Sequence, residues 1–135
     1  MMDAKVELFD VALKGCDGHA LVIQDSTSAT TVVATRCEFA NNSRCGAVVE
    51  GSLTSATFNN CVFHDNSNVG IYGSESTIHL HGEATAIHSN ARHGICAWNS
   101  GKVLIHLPSH HNTSYNNGGQ DRRTELGATI TNVED

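Results

Sequence analysis

Cys37-Glu38-Phe39-Ala40-Asn41-Asn42-Ser43-Arg44-Cys45-Gly46 is matched, 24 positions later, by Cys61-Val62-Phe63-His64-Asp65-Asn66-Ser67-Asn68-Val69-Gly70. Both read Cys-x-Phe-x-x-Asn-x-x-x-Gly, and Thr85-x-Ile87-x-x-Asn90-x-x-x-Gly94 repeats the pattern another 24 positions on. An earlier copy, Phe9-x-Val11-x-x-Lys14-x-x-x-Gly18, aligns 28 positions before the first, with the four additional residues assigned to the polar stretch 24–28. Upstream, the alignment groups Ala4, Val32, Ala56 and Leu80, then Val6, Ala34, Phe58 and Gly82. A fifth, degenerate copy is marked by Asn116-Asn117-Gly118-Gly119. Register-matched copies of this kind are the signature of a repeat architecture.

The repeat contains no segment of ten residues with a 3.6-residue apolar period, so helical repeats are excluded. Few leucines argue against a leucine-rich repeat. Short alternating runs between Asn, Gly and Ser turns specify strands instead. The expected fold is all-β: a parallel β-helix of four to five coils, roughly 24 residues each, with equivalent residues stacked about 4.8 Å apart. Coils occupy residues 1–103, and residues 104–135 form a degenerate last coil and capping segment of the same domain. Predicted inward stacks are Val6/Ala34/Phe58, Phe9/Cys37/Cys61/Thr85 and Val11/Phe39/Phe63/Ile87. One coil cannot bury its own apolar face, so stacking creates the core.

The pattern small-x-apolar-x-x-Cys-x-Phe-x-x-Asn-x-x-x-Gly-Ile, over roughly residues 4–101, resembles the right-handed parallel β-helix repeat of the pectate-lyase-like superfamily. That group includes polysaccharide lyases, polygalacturonases, uronan C5-epimerases, phage tailspikes and non-catalytic interaction domains. The resemblance therefore implies a fold and leaves activity open. It also implies that Asn42, Asn66 and Asn90 form a side-chain ladder satisfying turn backbone groups. Lys14 interrupts this column in the first coil, so the ladder should begin at the second.

The chain has 135 residues, 14 acidic and 8 basic, for a formal charge of −6. Nucleic acid binding needs clustered Lys and Arg, and membrane anchoring needs a long apolar or polybasic segment; neither partner is expected. Five cysteines, an odd number without Cys-x-x-Cys, point away from a disulfide framework and a thiolate zinc site and toward a reducing, intracellular compartment. The sequons Asn41-Asn42-Ser43 and Asn112-Thr113-Ser114 count weakly the other way.

Polygalacturonase-like hydrolysis needs paired aspartates, and lyase or epimerase chemistry needs a base with Ca²⁺ or a cation beside the sugar carboxylate. The aspartate pairs, clustered acids and Asp-Pro-His signature are absent from the sequence. The remaining catalytic candidates are His64, Asp65, His88 and Arg92, with Arg44 in the column of Arg92. His64 and His88 should stack, and His79 and His81 share one face of a strand. With His106, His110 and His111 they suggest either transition-metal binding or simply a polar outer face; no metal or cofactor is assigned. Tyr72 and Trp98 either stack on a sugar or fill the interior.

The repeat begins at Ala4, which leaves no room for a cap before the first coil. The expectation is either a chain excised from a longer protein or a bare end covered by another subunit; the second is preferred. Ala4, Val6, Phe9 and Val11 are therefore expected at a homo-oligomer joint, a dimer in preference, with His19 (opposite Ala47, Ile71 and Ile95) explained by that terminal position. Residues 127–133 read as a closing strand across or beside the far end. The functional expectation is a non-catalytic structural or interaction module that self-associates end to end. The alternative is a carbohydrate-active protein that binds a polysaccharide, or acts on a uronic-acid polymer as a lyase or C5-epimerase.

Overall fold

A computed structural model describes residues 4–24, 27–106 and 113–133; His110 and His111 fall outside them. In chain order the strands are β1 (Ala4–Phe9), β2 (Ala12–Lys14), β3 (Leu21–Ile23), β4 (Thr30–Thr35), β5 (Glu38–Ala40) and β6 (Ala47–Glu50). Next come β7 (Thr54–Asn59), β8 (Val62–His64), β9 (Ile71–Ser74), β10 (Thr77–His81) and β11 (Ala86–His88). The last are β12 (Ile95–Trp98), β13 (Lys102–His106), β14 (Ser114–Tyr115), β15 (Arg122–Thr124) and β16 (Thr129–Val133). Among the described residues, no helix is long and apolar enough to cross a membrane.

Every third strand pairs, in parallel, with its counterpart one coil away. The three sheets run β1-β4-β7-β10-β13-β16, β2-β5-β8-β11-β14 and β3-β6-β9-β12-β15. Parallel neighbours require a long crossover, and here each crossover is one circuit of the coil. The fold is a parallel β-solenoid of about five turns.

Corners recur where the chain enters left-handed backbone. Asp10, Arg36 and Asn60 have φ of 54°, 53° and 54°; Gly15, Asn41, Asp65, Ser89 and Asn116 have 69°, 57°, 55°, 57° and 52°. Asn and Asp tolerate this region better than most side chains, which accounts for their frequency at the turns.

Strand interiors alternate: in β7, Thr54, Ala56 and Phe58 are buried while Ser55, Thr57 and Asn59 are half-buried. Phe39 lies on Phe63 in near-parallel contact, centroids 4.6 Å apart and planes at 5°. Phe58 meets both edge-on at 88°. Cys37 and Cys61 are buried and free, as are Cys45 and Cys96; Cys16 is free and half-buried. Burial raises the Cys61 thiol to about 11, so it behaves as a small apolar side chain.

The first coil corrects the expected alignment. Its offset is 26, not 28: Leu13 pairs with Phe39, Val6 with Val32 and Leu21 with Ala47. Leu8, not Val6, heads the Ala34/Phe58/Leu80 stack, and Leu13, not Val11, heads the Phe39 stack. Phe9 pairs with Thr35 on the outer face and is 53% exposed, so it does not belong to the Cys37 stack. His19 is aligned with Cys45 rather than Ala47, and its Nδ1 accepts the Cys45 N–H at 3.0 Å. In the fourth copy Ala56 pairs with Ile78 and Phe58 with Leu80, again two residues from the expected pairing.

A two-residue slip preserves the inward–outward alternation, so apolar patterning cannot detect it; only a one-residue slip turns side chains over. The strand anticipated across or beside the far end, β16, lies beside β13 and pairs with it in parallel as the last strand of the six-stranded sheet.

Candidate functional site

The asparagine column fixes the coils against one another. Asn42 Nδ2 donates to Asn66 Oδ1 at 2.8 Å, Asn66 Nδ2 to Asn90 Oδ1 at 2.9 Å, and Asn90 Nδ2 to Asn117 Oδ1 at 2.9 Å. The same amides donate back to Leu13, Phe39 and Phe63 carbonyls at 3.3, 3.1 and 3.2 Å. Backbone N–H groups of Cys16, Asn42, Asn66 and Asn90 donate to the next Oδ1 at 2.9–3.3 Å. The ladder position in the first coil is Cys16, not Lys14. Asn117 is a further rung, and its Nδ2 ends on the Asp121 carboxylate at 3.0 Å.

The glycines beside the ladder keep room for it. A Cβ on Gly70 would lie 2.8 Å from both Asn90 Nδ2 and the Gly94 carbonyl oxygen.

His64, Asp65 and His88 come together on the outside of β8 and β11. His64 Nδ1 lies 2.5 Å from Asp65 Oδ2, and Nε2 lies 2.6 Å from Glu38 Oε2. Glu38 also pairs with Lys14 at 3.0 Å. The imidazoles of His64 and His88 stack at 5.1 Å and 7°, and Tyr115 continues the column at 5.1 Å. Burial disfavours the His64 charge, but hydrogen bonds to Asp65 and Glu38 outweigh it and raise the ring above its ordinary range. Hydrogen bonds from His64 and Lys14 hold Glu38 below the usual carboxylate range. Burial, then the His64 charge, lowers His88.

This arrangement suits a structural clamp. A ring whose two nitrogens both face carboxylates has its charged form favoured and its orientation fixed by both neighbours.

Arg92 does not join that group. It borders a cleft of about 540 Å³ on the outside of β9, β12 and β15, together with Tyr72, Trp98, His93, Cys96 and Arg123. Register explains the assembly: Tyr72 pairs with Cys96, Cys96 pairs with Arg123, and Trp98 lies two residues beyond Cys96 on the same face. Cys45, Val48, Val69 and Cys96 make an apolar floor against which Tyr72 packs. Tyr72 and Trp98 are half-buried on the outer surface, so Trp98 does not fill the interior.

The cleft is locally cationic in an acidic protein. Arg123 is paired with Glu125, whereas Arg92 makes no ion pair among the described residues. Burial, then Arg123 and Arg92, lowers His93, and its Nδ1 accepts the Gln120 N–H at 2.9 Å. His93 is thereby held neutral, with the proton on Nε2. Burial raises the Cys45 and Cys96 thiols, so they line the cleft as protonated, weakly polar groups. The cleft brings two aromatic side chains, Tyr72 and Trp98, together with the guanidinium groups of Arg92 and Arg123.

A family model described as a right-handed β-helix region matches residues 1–84. Comparison with curated proteins and with solved structures gives no match.

Proposed function

Because the chain belongs to the right-handed β-helix family, we propose that it is a non-catalytic binding module that holds an acidic carbohydrate chain along the Arg92 cleft. The observation that carries this reading is the union, at one lateral cleft, of Tyr72, Trp98 and Arg92, a guanidinium with no ion pair among the described residues. Aromatic faces suit the apolar faces of sugar rings, while a guanidinium donates two parallel hydrogen bonds to a carboxylate.

Titration calorimetry with galacturonate and alginate oligomers tests the proposal, with a neutral gluco-oligomer as control. An acidic oligomer should bind saturably, release no unsaturated product, and lose affinity at high salt. Arg92→Ala should weaken it about tenfold, the scale of one charge-assisted hydrogen bond. Absence of binding to both acidic oligomers, or equal binding by Arg92→Ala, would overturn it.

A second reading, self-association through the first coil, is favoured by the exposure of two apolar side chains on the edge strand β1: Val6, 47% exposed at the open end of the inward Val32 column, and Phe9, 53% exposed on the outer face. Light scattering on the same samples separates it: a mass of two chains supports self-association, and a strict monomer removes it.

A further inference from the structure

We propose that His79, His81 and His106 form a binding site for a divalent transition-metal ion, Zn²⁺, on the outer face of the six-stranded sheet. The three residues come from two adjacent strands. His79 and His81 are two positions apart on β10 and share its outer face, because Ile78 and Leu80 between and beside them are buried. Leu80 pairs with Ile105, which sets His81 beside His106 on β13.

The rings are already gathered. His81 and His106 stack at 4.0 Å, His79 and His106 at 5.1 Å, and His79 Nδ1 lies 2.9 Å from His106 Nε2. One nitrogen from each of the three lies within 4.8 Å of the others. Tetrahedral zinc with bonds of about 2.0–2.1 Å places ligand nitrogens about 3.4 Å apart. The remaining adjustment is rotation of half-buried rings on a backbone fixed by sheet pairing, not movement of the strands.

Imidazole is a preferred donor for zinc and its neighbours in the transition series. The side chains in register on the flanking strands, Thr57 and Asn59 on β7 and Thr131 and Val133 on β16, are uncharged. No cation among them repels a metal ion. Three imidazoles leave at least one tetrahedral position to another donor. The site occupies a different sheet from the Arg92 cleft and does not depend on it.

The experiment is calorimetric titration of the untagged, metal-stripped protein with ZnCl₂ at neutral pH. One Zn²⁺ per chain should bind saturably, and Co²⁺ in its place should give the visible absorption of a nitrogen-ligated tetrahedral ion. His106→Asn and His79→Asn should each weaken Zn²⁺ binding by at least about tenfold, each checked for an unchanged circular dichroism spectrum. His88→Asn, in the separate histidine column, should leave it unchanged. Absence of saturable binding overturns the proposal, as does wild-type affinity in both His106→Asn and His79→Asn, or loss of the site in His88→Asn.

Discussion

Phe63→Ala should destabilise the protein by about 3–5 kcal/mol in urea denaturation, the range for deleting a buried aromatic ring from a packed core. Phe63 is fully buried and stands at the centre of the interior: it stacks on Phe39 below and meets Phe58 at 4.9 Å on the adjoining sheet. Its removal leaves a void bounded by rings from two sheets. Neighbouring coils are pinned by backbone pairing and cannot close on that void. A smaller neighbour makes the contrast: in the same column Ile87 replaces the aromatic ring, so the stack is not required to be aromatic, only to be filled. A loss below about 1.5 kcal/mol would mean that the coils can collapse around the gap.

Asn66→Ala should cost about 3 kcal/mol although it removes only a small polar group. Asn66 is 1% exposed and serves four partners: it accepts from the Asn42 backbone and side chain, and donates to Asn90 Oδ1 and the Phe39 carbonyl. An alanine leaves the Asn42 N–H without its acceptor in a place water does not reach. Each such orphan costs about 1–3 kcal/mol, so the expected loss exceeds that of a single ordinary hydrogen bond. Thermal and urea denaturation should agree. A change smaller than about 1 kcal/mol would show that the column tolerates gaps and does not hold the coils in register.

The parts of this structure legible from sequence are those where equal spacing repeats. Between the second and third coils the interval is 24 everywhere, so Phe39/Phe63 and Asn42/Asn66 could be paired from the residues alone. The pairing failed where a turn changed length by two. Phe9 and Val11 look apolar in either alignment, and the outward placement of Phe9 is set by its pairing with Thr35 rather than by its own character. The corner residues held the missing signal: Asp10 and Arg36, both in left-handed backbone, are 26 apart.

Asn117 was similarly obscured, because 27 positions separate it from Asn90. The cleft was harder still. Tyr72, Cys96 and Arg123 occupy equivalent positions, but Arg92 and His93 arrive from the preceding turn. Only correct register in the last two coils brings the aromatic residues and the second arginine together. The histidine trio was partly visible through His79 and His81, while the approach of His106 depends on the 25-residue step from β10 to β13.

Nuclear Overhauser contacts from the side-chain amide protons of Asn66 test the stacking of equivalent residues most directly. The solenoid predicts contacts to Asn90, 24 residues ahead, and to Phe39, 27 residues behind, in one spectrum. Contacts confined to residues near Asn66 in sequence, or reaching Asn117 without Asn90, would contradict the arrangement on which both binding sites are built.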